Sequence, residues 1–333
     1  MKYSFLFLFL NFQNIGLAQA FELQGLQCPN EENSFRGISA LDENRVWLCS
    51  DQGEVWYYSV DGGWEDRSPH RYESIMWRDI EAFNDSTAVI LSAGSPGVIL
   101  RTENSGNSWY EVYRDESEDI FFDAMDFKGP FGFAFSDARD GYTLDILQSR
   151  DYGQSWQLFN SEPARLVNHE NQGGFAASGT CLKALGDSSF IIVLGGAAAS
   201  FKYVLDFNNC LDRDLPIDSG ANSKGAFSVD LNDEGHILVV GGDYRADSLS
   251  NNTMAISRDF GNSWSEAPFP KHLQSRYWSC VQWQGTNIFL SSRYGCAFSF
   301  DNGKSWELSD EAYYSIDQYW LSGPKGRLGR LLQ

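Results

Sequence analysis

An eight-residue pattern, Ser/Thr-x-Asp-x-Gly-x-Ser-Trp, recurs along the chain and limits its possible folds more than any other feature. Full, looser or shortened copies lie at 59–64, 102–109, 149–156, 257–264 and 299–306. In each copy the hydroxyl residue ends a strand, the Asp caps a turn and the Gly adopts a positive φ. The Trp opens the next strand and fills a core. The pattern therefore predicts repeated β-hairpins.

The spacing of the copies predicts how these hairpins are arranged. Successive copies start 42 to 47 residues apart, except for one interval of 108 residues that holds two periods. Strand-type repeats of this length are typical of β-propellers with four-stranded blades. Seven segments have the pattern of an innermost strand, at 35–41, 77–83, 121–127, 176–182, 226–231, 278–283 and 314–319. We therefore predict an all-β, seven-bladed β-propeller with four-stranded antiparallel blades.

The two ends of the mature chain are predicted to close the ring. The seventh repeat reaches Gln333 with only three strands, whereas Phe21-Glu22-Leu23-Gln24 resembles the strand at 306–309 that follows the last Asp turn. If the N-terminal strand completes blade seven, an exposed sheet edge is removed. Residues 21–333 are thus expected to form a single domain.

The first 20 residues have the composition of a secretory signal peptide. Lys2 precedes the apolar run 3–10, and Ala18-Gln19-Ala20 is a small-x-small cleavage site. No later segment has 18 consecutive apolar residues, so no membrane span is expected. The protein is predicted to be periplasmic or secreted. Its net charge of −20 argues against nucleic acid and anionic lipid as partners.

The cysteines permit disulfides but do not define them. All six lie after residue 20, and an even number in an exported chain is compatible with disulfide bonds. Cys181 with Cys210 is the first choice because both lie in the same repeat, and buried free thiols are the alternative. No clustered Cys/His spacing indicates zinc, and no motif requires another cofactor.

The repeats resemble those of known propeller families. The Asp turns resemble the Asp-boxes, or bacterial neuraminidase repeats, of sialidases. Ser34-Phe35-Arg36-Gly37, Gly94-Ser95-Pro96-Gly97 and Gly323-Pro324-Lys325-Gly326-Arg327, with the count of seven, are similar to exported propellers related to the plant photosystem II stability/assembly factor. This resemblance covers residues 21–333. It implies a non-catalytic binding or assembly scaffold of the cell envelope with a protein partner; a glycan is the other ligand considered. The protein is expected to be a monomer. Some similar proteins are labelled oxidoreductases, a label that no motif of this sequence supports.

The same resemblance places binding on the face opposite the Asp turns, where loops enter the innermost strands or join second to third strands. Arg and Tyr, frequent in binding hot spots, are well represented there. The candidate residues are Arg36, Arg78, Asp79, Asp123, Asp137, Arg139, Asp140, His169, Glu170, Asp243, Tyr244, Arg245, Arg293, Tyr294 and Lys325. Asp61, Asn104, Asp151, Asp259 and Asp301 are assigned to turn capping rather than to calcium binding, because each turn offers a single carboxylate or amide.

Two enzymatic alternatives use this face. A sialidase would hold a carboxylate with Arg36, Arg245 and Arg293 and use Tyr244 or Tyr294 as nucleophile, although no paired Glu is found by spacing and Gly37-Ile38 departs from the family's Arg-Ile-Pro start. Another glycosidase would use two carboxylates such as Asp79 and Asp123. The competing interpretation is that Arg36 and Arg78 simply form salt bridges with Asp79 and Asp123.

Overall fold

The computed structural model describes residues 22–159, 166, 168–206, 209–246 and 250–332, so the predicted signal peptide lies outside the described residues. The strands up to residue 115 are β1 (Glu22–Gln27), β2 (Phe35–Asp42), β3 (Arg45–Ser50), β4 (Val55–Ser59), β5 (Gly63–Asp66), β6 (Trp77–Ala82), β7 (Ala88–Ser92), β8 (Gly97–Thr102) and β9 (Tyr110–Asp115). The next are β10 (Phe122–Lys128), β11 (Phe131–Ser136), β12 (Asp145–Ser149), β13 (Gln157–Leu158), β14 (Gln172–Gly173), β15 (Leu182–Ala184), β16 (Phe190–Gly196), β17 (Ser200–Asp206) and β18 (Asn209–Asp214). The last are β19 (Lys224–Leu231), β20 (Ile237–Asp243), β21 (Met254–Ser257), β22 (Ser265–Glu266), β23 (Cys280–Gln284), β24 (Asn287–Ser292), β25 (Gly295–Ser299), β26 (Glu307–Ser309), β27 (Ser315–Asp317), β28 (Trp320–Ser322) and β29 (Arg327–Leu332), and the short helix α1 spans Lys271–Gln274.

These strands form antiparallel sheets in which chain neighbours pair. Four-stranded sheets contain β2–β5, β6–β9, β10–β13 and β23–β26, and a further one has the order β1-β29-β28-β27. Strands β14–β22 form one nine-stranded sheet, because β16 also pairs with β19 at Gly195 and Gly225. A Cβ on Gly225 would lie 2.3 Å from the Cα of Gly195, so this junction requires glycine. The described regular structure is thus almost entirely antiparallel β.

The chain ends pair with each other. Strand β1 lies antiparallel to β29, with Glu22 opposite Leu332 and Gln27 opposite Arg327. The sheet that contains them also contacts the β2–β5 sheet: the indole N–H of Trp320 donates to the carbonyl of Asp42 at 2.8 Å. The first and last parts of the described chain are therefore joined by both pairing and side-chain contacts.

The prediction of an innermost strand at 176–182 is wrong for all of these residues except Leu182. Regular pairing starts only at Leu182, in β15, whereas the other six predicted segments coincide largely with β2, β6, β10, β19, β23 and β27. Residues 174–181 are irregular. Gly174, Ser178 and Gly179 make contacts to other sheets that a straight strand could not make, as described below.

The Asp turns are built as the repeated pattern indicates. The Asp301 carboxylate accepts the N–H of Ser305 at 2.8 Å and the hydroxyls of Ser299 and Ser305 at 3.0 and 2.6 Å. These bonds, chiefly those from Ser305, hold the pKa of Asp301 at about 2. Asp151 and Asp259 make the same set of bonds. Each carboxylate is therefore occupied by its own turn, and no cluster of metal-ligating side chains is found in the described ranges.

The predicted disulfide between Cys181 and Cys210 is wrong. All six cysteines are free thiols. Cys181 precedes β15 at the inner edge of its sheet, whereas Cys210 lies in β18 at the outer edge, three strands away. Strands are about 4.8 Å apart, so the pair is separated by roughly twice the reach of a disulfide. Five of the thiols are buried and only Cys210 is exposed.

The apolar core lies between neighbouring sheets. One buried cluster joins Trp47 and Tyr57 of the β2–β5 sheet to Trp77, Ile90 and Leu100 of the next sheet. The Trp of each Asp turn packs against the edge of a buried apolar cluster. Trp306, for example, packs on Phe269 with ring centroids 5.1 Å apart. No helix in the described part of the chain is long and apolar enough to cross a membrane.

The Asp-turn glycine is expected to be needed for stability. Gly303 has a φ of +82°, and a Cβ there would lie 2.2 Å from the Phe269 ring. Gly303→Ala should lower the free energy of unfolding by about 2–4 kcal/mol, since both left-handed strain and overpacking act. Gly285→Ala is the matched control: its φ is +58°, but nothing lies within 4 Å of the added Cβ. It should cost only about 1 kcal/mol. Equal losses in urea unfolding would contradict this account.

Candidate functional site

The loops opposite the Asp turns carry a cluster of aromatic side chains. We call the surface formed by the loops entering the innermost strands and by the second-to-third-strand loops the upper face. On it, Phe175 stacks on Phe227 with centroids 3.8 Å apart and an interplanar angle of 5°. Tyr277 contacts Phe227 edge-on at 4.9 Å, and Tyr294 contacts Tyr277 at 6.3 Å. Aromatic pairs of this geometry fix the relative positions of the loops that carry them.

Three arginines of the upper face lie over tyrosine rings. The guanidinium carbon of Arg36 is 3.8 Å from the centre of the Tyr314 ring. Arg293 lies 4.9 Å from its neighbour Tyr294, and Arg245 lies 5.7 Å from its neighbour Tyr244. Arg245 and Arg293 are exposed, while their tyrosines are half-buried. We call these contacts the three Arg/Tyr pairs; each presents a cation on an aromatic support.

The irregular segment 174–181 crosses the middle of this face. The N–H of Gly174 donates to Asp137 Oδ1 at 2.8 Å. Ser178 donates its hydroxyl to the carbonyl of Ser279 at 2.7 Å and accepts, through its own carbonyl, the hydroxyl of Ser315 at 2.9 Å. The segment therefore bonds to several sheets at once. Gly179 inside the run assigned to a strand, and Gly173-Gly174 just before it, are the sequence signal that could have revealed this.

Two predicted site residues, Asp79 and Asp123, lie beneath that segment. They are 5% and 0% exposed, and burial raises the pKa of both carboxyl groups. A Cβ on Gly179 would lie 2.5 Å from the Asp79 carboxylate, and one on Gly174 would lie 2.6 Å from Asp123 Cγ. The glycosidase hypothesis requires two carboxylates in an open cleft. This pair is covered by the backbone and does not meet that requirement.

Asp123 and Asp137 form an acidic pair. The buried oxygens of Asp123 lie beside Asp137, whose side chain and main-chain N–H interact with them. Besides burial, the neighbouring Asp137 charge raises the pKa of Asp123. Two adjacent carboxyl groups in a buried site share a proton rather than both ionise. In such a pair, Asp123 donates its O–H to the Asp137 carboxylate. Burial raises the pKa of Asp137, whereas this bond acts to lower it.

Arg36 and Arg78 do not form the expected salt bridges. Among the described residues no ion pair joins either of them to Asp79 or Asp123, so that interpretation is wrong. The guanidinium of Arg36 instead donates to the carbonyl of Ala177 at 3.4 Å. Arg78 is half-buried, and its Nε has no acceptor in the described chain. Burial, and then the charge of Arg36, lowers the pKa of Arg78.

The remaining candidates are mostly engaged locally. Arg139 forms ion pairs with Asp115 at 3.1 Å and Asp145 at 2.5 Å. Asp140 caps a turn by accepting the N–H groups of residues 142 and 143. The side chain of Asp243 accepts the N–H of Arg245 at 3.0 Å, while His169, Glu170 and Lys325 are exposed. The structure thus brings together the Arg/Tyr residues and the Asp123–Asp137 pair, but not the full predicted set.

A second group of charges, missed in the sequence, lies between the innermost strands. A cavity of about 90 Å³ is lined by β2, β6, β10, β15, β19, β23 and β27. Lys183 Nζ lies 3.2 Å from Asp230 Oδ1 in this cavity, and the charges of Asp230 and Asp126 raise the pKa of Lys183. The missed signal is an acidic residue near the end of an innermost strand, as at Asp126, Asp230 and Asp317.

These carboxylates bind the main chain of the next innermost strand. Asp126 accepts the N–H of Ala184 at 2.6 Å and Asp230 that of Trp283 at 2.7 Å. Asp317 accepts the N–H of Ala40 at 2.7 Å, which links the last sheet to the first. Asp79 does the same toward Met125 at 2.8 Å. We call these four hydrogen bonds the carboxylate belt.

A further tyrosine lies close to two of the arginines named in the sialidase hypothesis. Tyr277, which the sequence did not single out, lies within electrostatic reach of Arg36 and Arg293. Burial nevertheless raises the pKa of Tyr277, whereas a nucleophilic phenol requires activation. Arg36, Arg245 and Arg293 each lie over a different tyrosine ring, an arrangement that presents three separate cations.

Comparison with known proteins shows the fold. The sequence matches no protein family model and no curated protein. A solved structure described as "YCF48 bound to D1 peptide" is similar with a TM-score of 0.66 at 15% identity, covering 93% of this chain and 97% of the other. YCF48 from Cyanidioschyzon merolae has a TM-score of 0.62 at 12% identity, covering 92% and 98%. A streptogramin B lyase has 0.65 at 10% identity, covering 94% and 97%. With the WD40 β-propeller domain of Doa1 at 0.61 and 12% identity, covering 94% and 97%, these likenesses identify an all-β propeller fold.

The belt predicts how stability varies with pH. Burial raises the pKa of Asp317 to about 6, above the value near 4 of an unfolded Asp. The folded state therefore binds this proton more tightly than the unfolded state does. The resulting gain in stability is complete below about pH 4 and is lost as the pH rises through 6. Asp79, Glu81 and Asp126 shift in the same direction. Urea unfolding should show a higher free energy at about pH 5 than at about pH 7.5.

The substitution Asp317→Asn separates this effect from the general repulsion between negative charges in an acidic protein. The amide keeps an acceptor for Ala40 but carries no charge at any pH. The variant should be more stable than the wild type at about pH 7.5. Its free energy of unfolding should also rise less steeply than that of the wild type as the pH is lowered to about 5. An unchanged slope, or wild-type stability that falls on acidification over this range, would contradict the assignment.

Proposed function

We propose that the sheets form a seven-bladed ring. The nine-stranded sheet then corresponds to two blades, β15–β18 and β19–β22, joined at Gly195 and Gly225. The pairing of β1 with β29 and the bond from Ala40 to Asp317 support closure between the first and last blades. Innermost strands from all the sheets line one cavity, as a ring requires.

We propose that the protein is a non-catalytic scaffold that binds a protein partner through the upper face. The observation that carries this proposal is the set of three Arg/Tyr pairs. Arg245 and Arg293 are exposed cations on tyrosine supports, and Tyr294 also donates its hydroxyl to the carbonyl of Tyr244 at 3.5 Å. Arg and Tyr dominate binding hot spots because they combine contact area with directional donors. The buried state of Asp79 and Asp123 favours binding over hydrolysis.

The partner is expected to be a protein segment that is acidic or rich in carbonyl groups. The guanidinium groups of Arg245 and Arg293 offer donors only, and carboxylates are their best acceptors. The structure described as "YCF48 bound to D1 peptide" is a propeller of similar fold with a bound peptide, which supports a peptide as ligand class. We further propose that the partner is met in the periplasm or outside the cell, following the signal-peptide composition of residues 1–20.

The proposal is tested by comparing upper-face and outer-surface variants in affinity capture from the native envelope fraction. Arg245→Ala with Arg293→Ala should abolish capture of a specific protein and weaken its measured Kd by more than about tenfold. Arg213→Ala is the matched control: Arg213 is also exposed, but it lies on outer strand β18 and donates to the carbonyl of Asn262.

A glycosidase panel is run on the same samples. Turnover of a sialoside or another glycoside that is lost in the Arg245/Arg293 variant would replace the scaffold proposal with the hydrolase. Capture that is equally affected by Arg213→Ala would show that the upper face is not the binding surface.

A further inference from the structure

We propose that a pocket between two Asp turns binds a small aromatic carboxylate. The pocket lies between the turns 257–264 and 299–306, on the side of the molecule away from the upper face, and has a volume of about 490 Å³. We call it the turn pocket. Volumes of this size are typical of small-molecule sites. Its lining includes His236, Arg258, Phe269, Trp283 and Lys304.

The charge of the turn pocket is opposite to that of the chain. Asp and Glu outnumber Lys and Arg by 45 to 25 overall, yet the lining contains Arg258, Lys304 and His236 and no acidic residue. Glu234, whose carboxylate is 3.4 Å from His236 Nδ1, has a side chain that is 73% exposed and does not line the pocket. Neither Arg258 nor Lys304 has an ion pair within the described ranges. A basic pocket in an acidic protein favours an anion.

An equivalent arginine elsewhere in the chain shows why Arg258 is available. Arg150 occupies the same position in the turn 149–156 and forms an ion pair with Asp187 at 3.1 Å. Asp187 comes from the hairpin between β15 and β16 that follows that turn. The corresponding hairpin next to Arg258, between β23 and β24, reads Gln284-Gly285-Thr286-Asn287 and offers no carboxylate. A ligand carboxylate would take the place that Asp187 has beside Arg150.

Trp283 contributes an aromatic surface to the turn pocket. Its side chain is 5% exposed and lines the pocket beside His236, whose ring centroid lies 6.2 Å from that of Trp283. Its indole N–H, like those of Trp47 and Trp156, has no acceptor within the described residues. A planar ligand in the turn pocket would pack against this indole, so the indole signal of Trp283 reports on binding.

The walls define the rest of the ligand. Phe269 and Trp283 line the pocket together with Ile256 and Ile288, and Pro268 and Pro270 complete its apolar side. Apolar walls with a few donors at one end fit a molecule with a planar apolar body and an anionic group. These features together specify an arylcarboxylate, which neither a neutral aromatic compound nor a small inorganic anion would match.

The test uses 1-naphthoate as the probe, titrated into the full mature protein and followed by the indole N–H signals of ¹⁵N-labelled protein. Naphthoate should bind at one site and shift the signal that is absent in Trp283→Phe. The neutral analogue 1-naphthalenemethanol should bind at least about tenfold more weakly, and inorganic phosphate should not saturate. Equal binding of the neutral analogue would overturn the proposal, because the cations would then be irrelevant.

Variants distinguish the pocket from non-specific attraction. Arg258→Ala and Lys304→Ala should each weaken naphthoate binding by about tenfold, and Lys304→Glu should abolish it. Both side chains are exposed, so folding should be preserved, as the remaining indole signals would report. Arg150→Ala is the matched control and should leave the affinity unchanged. An equal loss with Arg150→Ala, or no binding to the wild type, would overturn the proposal. The outcome is independent of partner capture by the upper face, which these substitutions leave intact.

Discussion

The hydrogen bonds of the carboxylate belt are the interaction on which the arrangement of the sheets depends. In the described sheets, every innermost strand except β19, which also pairs with β16 at Gly225, has one edge without a hydrogen-bonded strand, and the N–H groups on that edge need acceptors when they are buried. Asp79, Asp126, Asp230 and Asp317 supply an acceptor to four of the innermost strands, β10, β15, β23 and β2. Because each bond joins two different sheets, the same contacts that satisfy the backbone also fix the angle between sheets. Packing of the Trp and Phe side chains then fills the space between sheets that are already oriented.

This constraint explains why the centre of the molecule is acidic. A carboxylate that accepts a main-chain N–H in a buried position has its negative charge partly balanced by that donor, and Lys183 adds a positive charge beside Asp230. Asp79, buried under Gly179, is in an arrangement of this kind, since it accepts the N–H of Met125. The groups that remain free to meet a ligand lie on the loops, where Arg245 and Arg293 are exposed. Function on this fold is therefore expected at the loops rather than in the central cavity.

The sequence predicted the repeated hairpins because their signals are local. The hydroxyl, Asp and Gly of each turn bond to one another within eight residues, so the pattern contains all the information needed to infer it. The segment 176–182 failed because its conformation depends on distant partners, Asp79, Ser279 and Ser315, that no local pattern reveals. The Cys181–Cys210 pairing failed for a related reason, since sharing a repeat does not place two residues on neighbouring strands. The Arg/Tyr contacts of residues adjacent in sequence could be anticipated, whereas the contact between Arg36 and Tyr314 required the fold.

The Asp turns show how one local structure can serve different purposes along the chain. Their hydroxyl, Asp, Gly and Trp positions are committed to hydrogen bonds and packing, so these positions cannot differ much between copies. The second and sixth positions vary between copies, as Arg150 and Gln154 differ from Phe300 and Lys304, and the sixth residue can be held through its main-chain N–H, which Gln154 donates to the carbonyl of Asp151 at 3.4 Å. Whether an arginine at the second position is structural depends on its neighbour: Asp187 neutralises Arg150, and the hairpin beside Arg258 has no acidic residue. In a repeat protein the departures from the repeat, rather than the repeated residues themselves, are where a binding site can arise without weakening the fold.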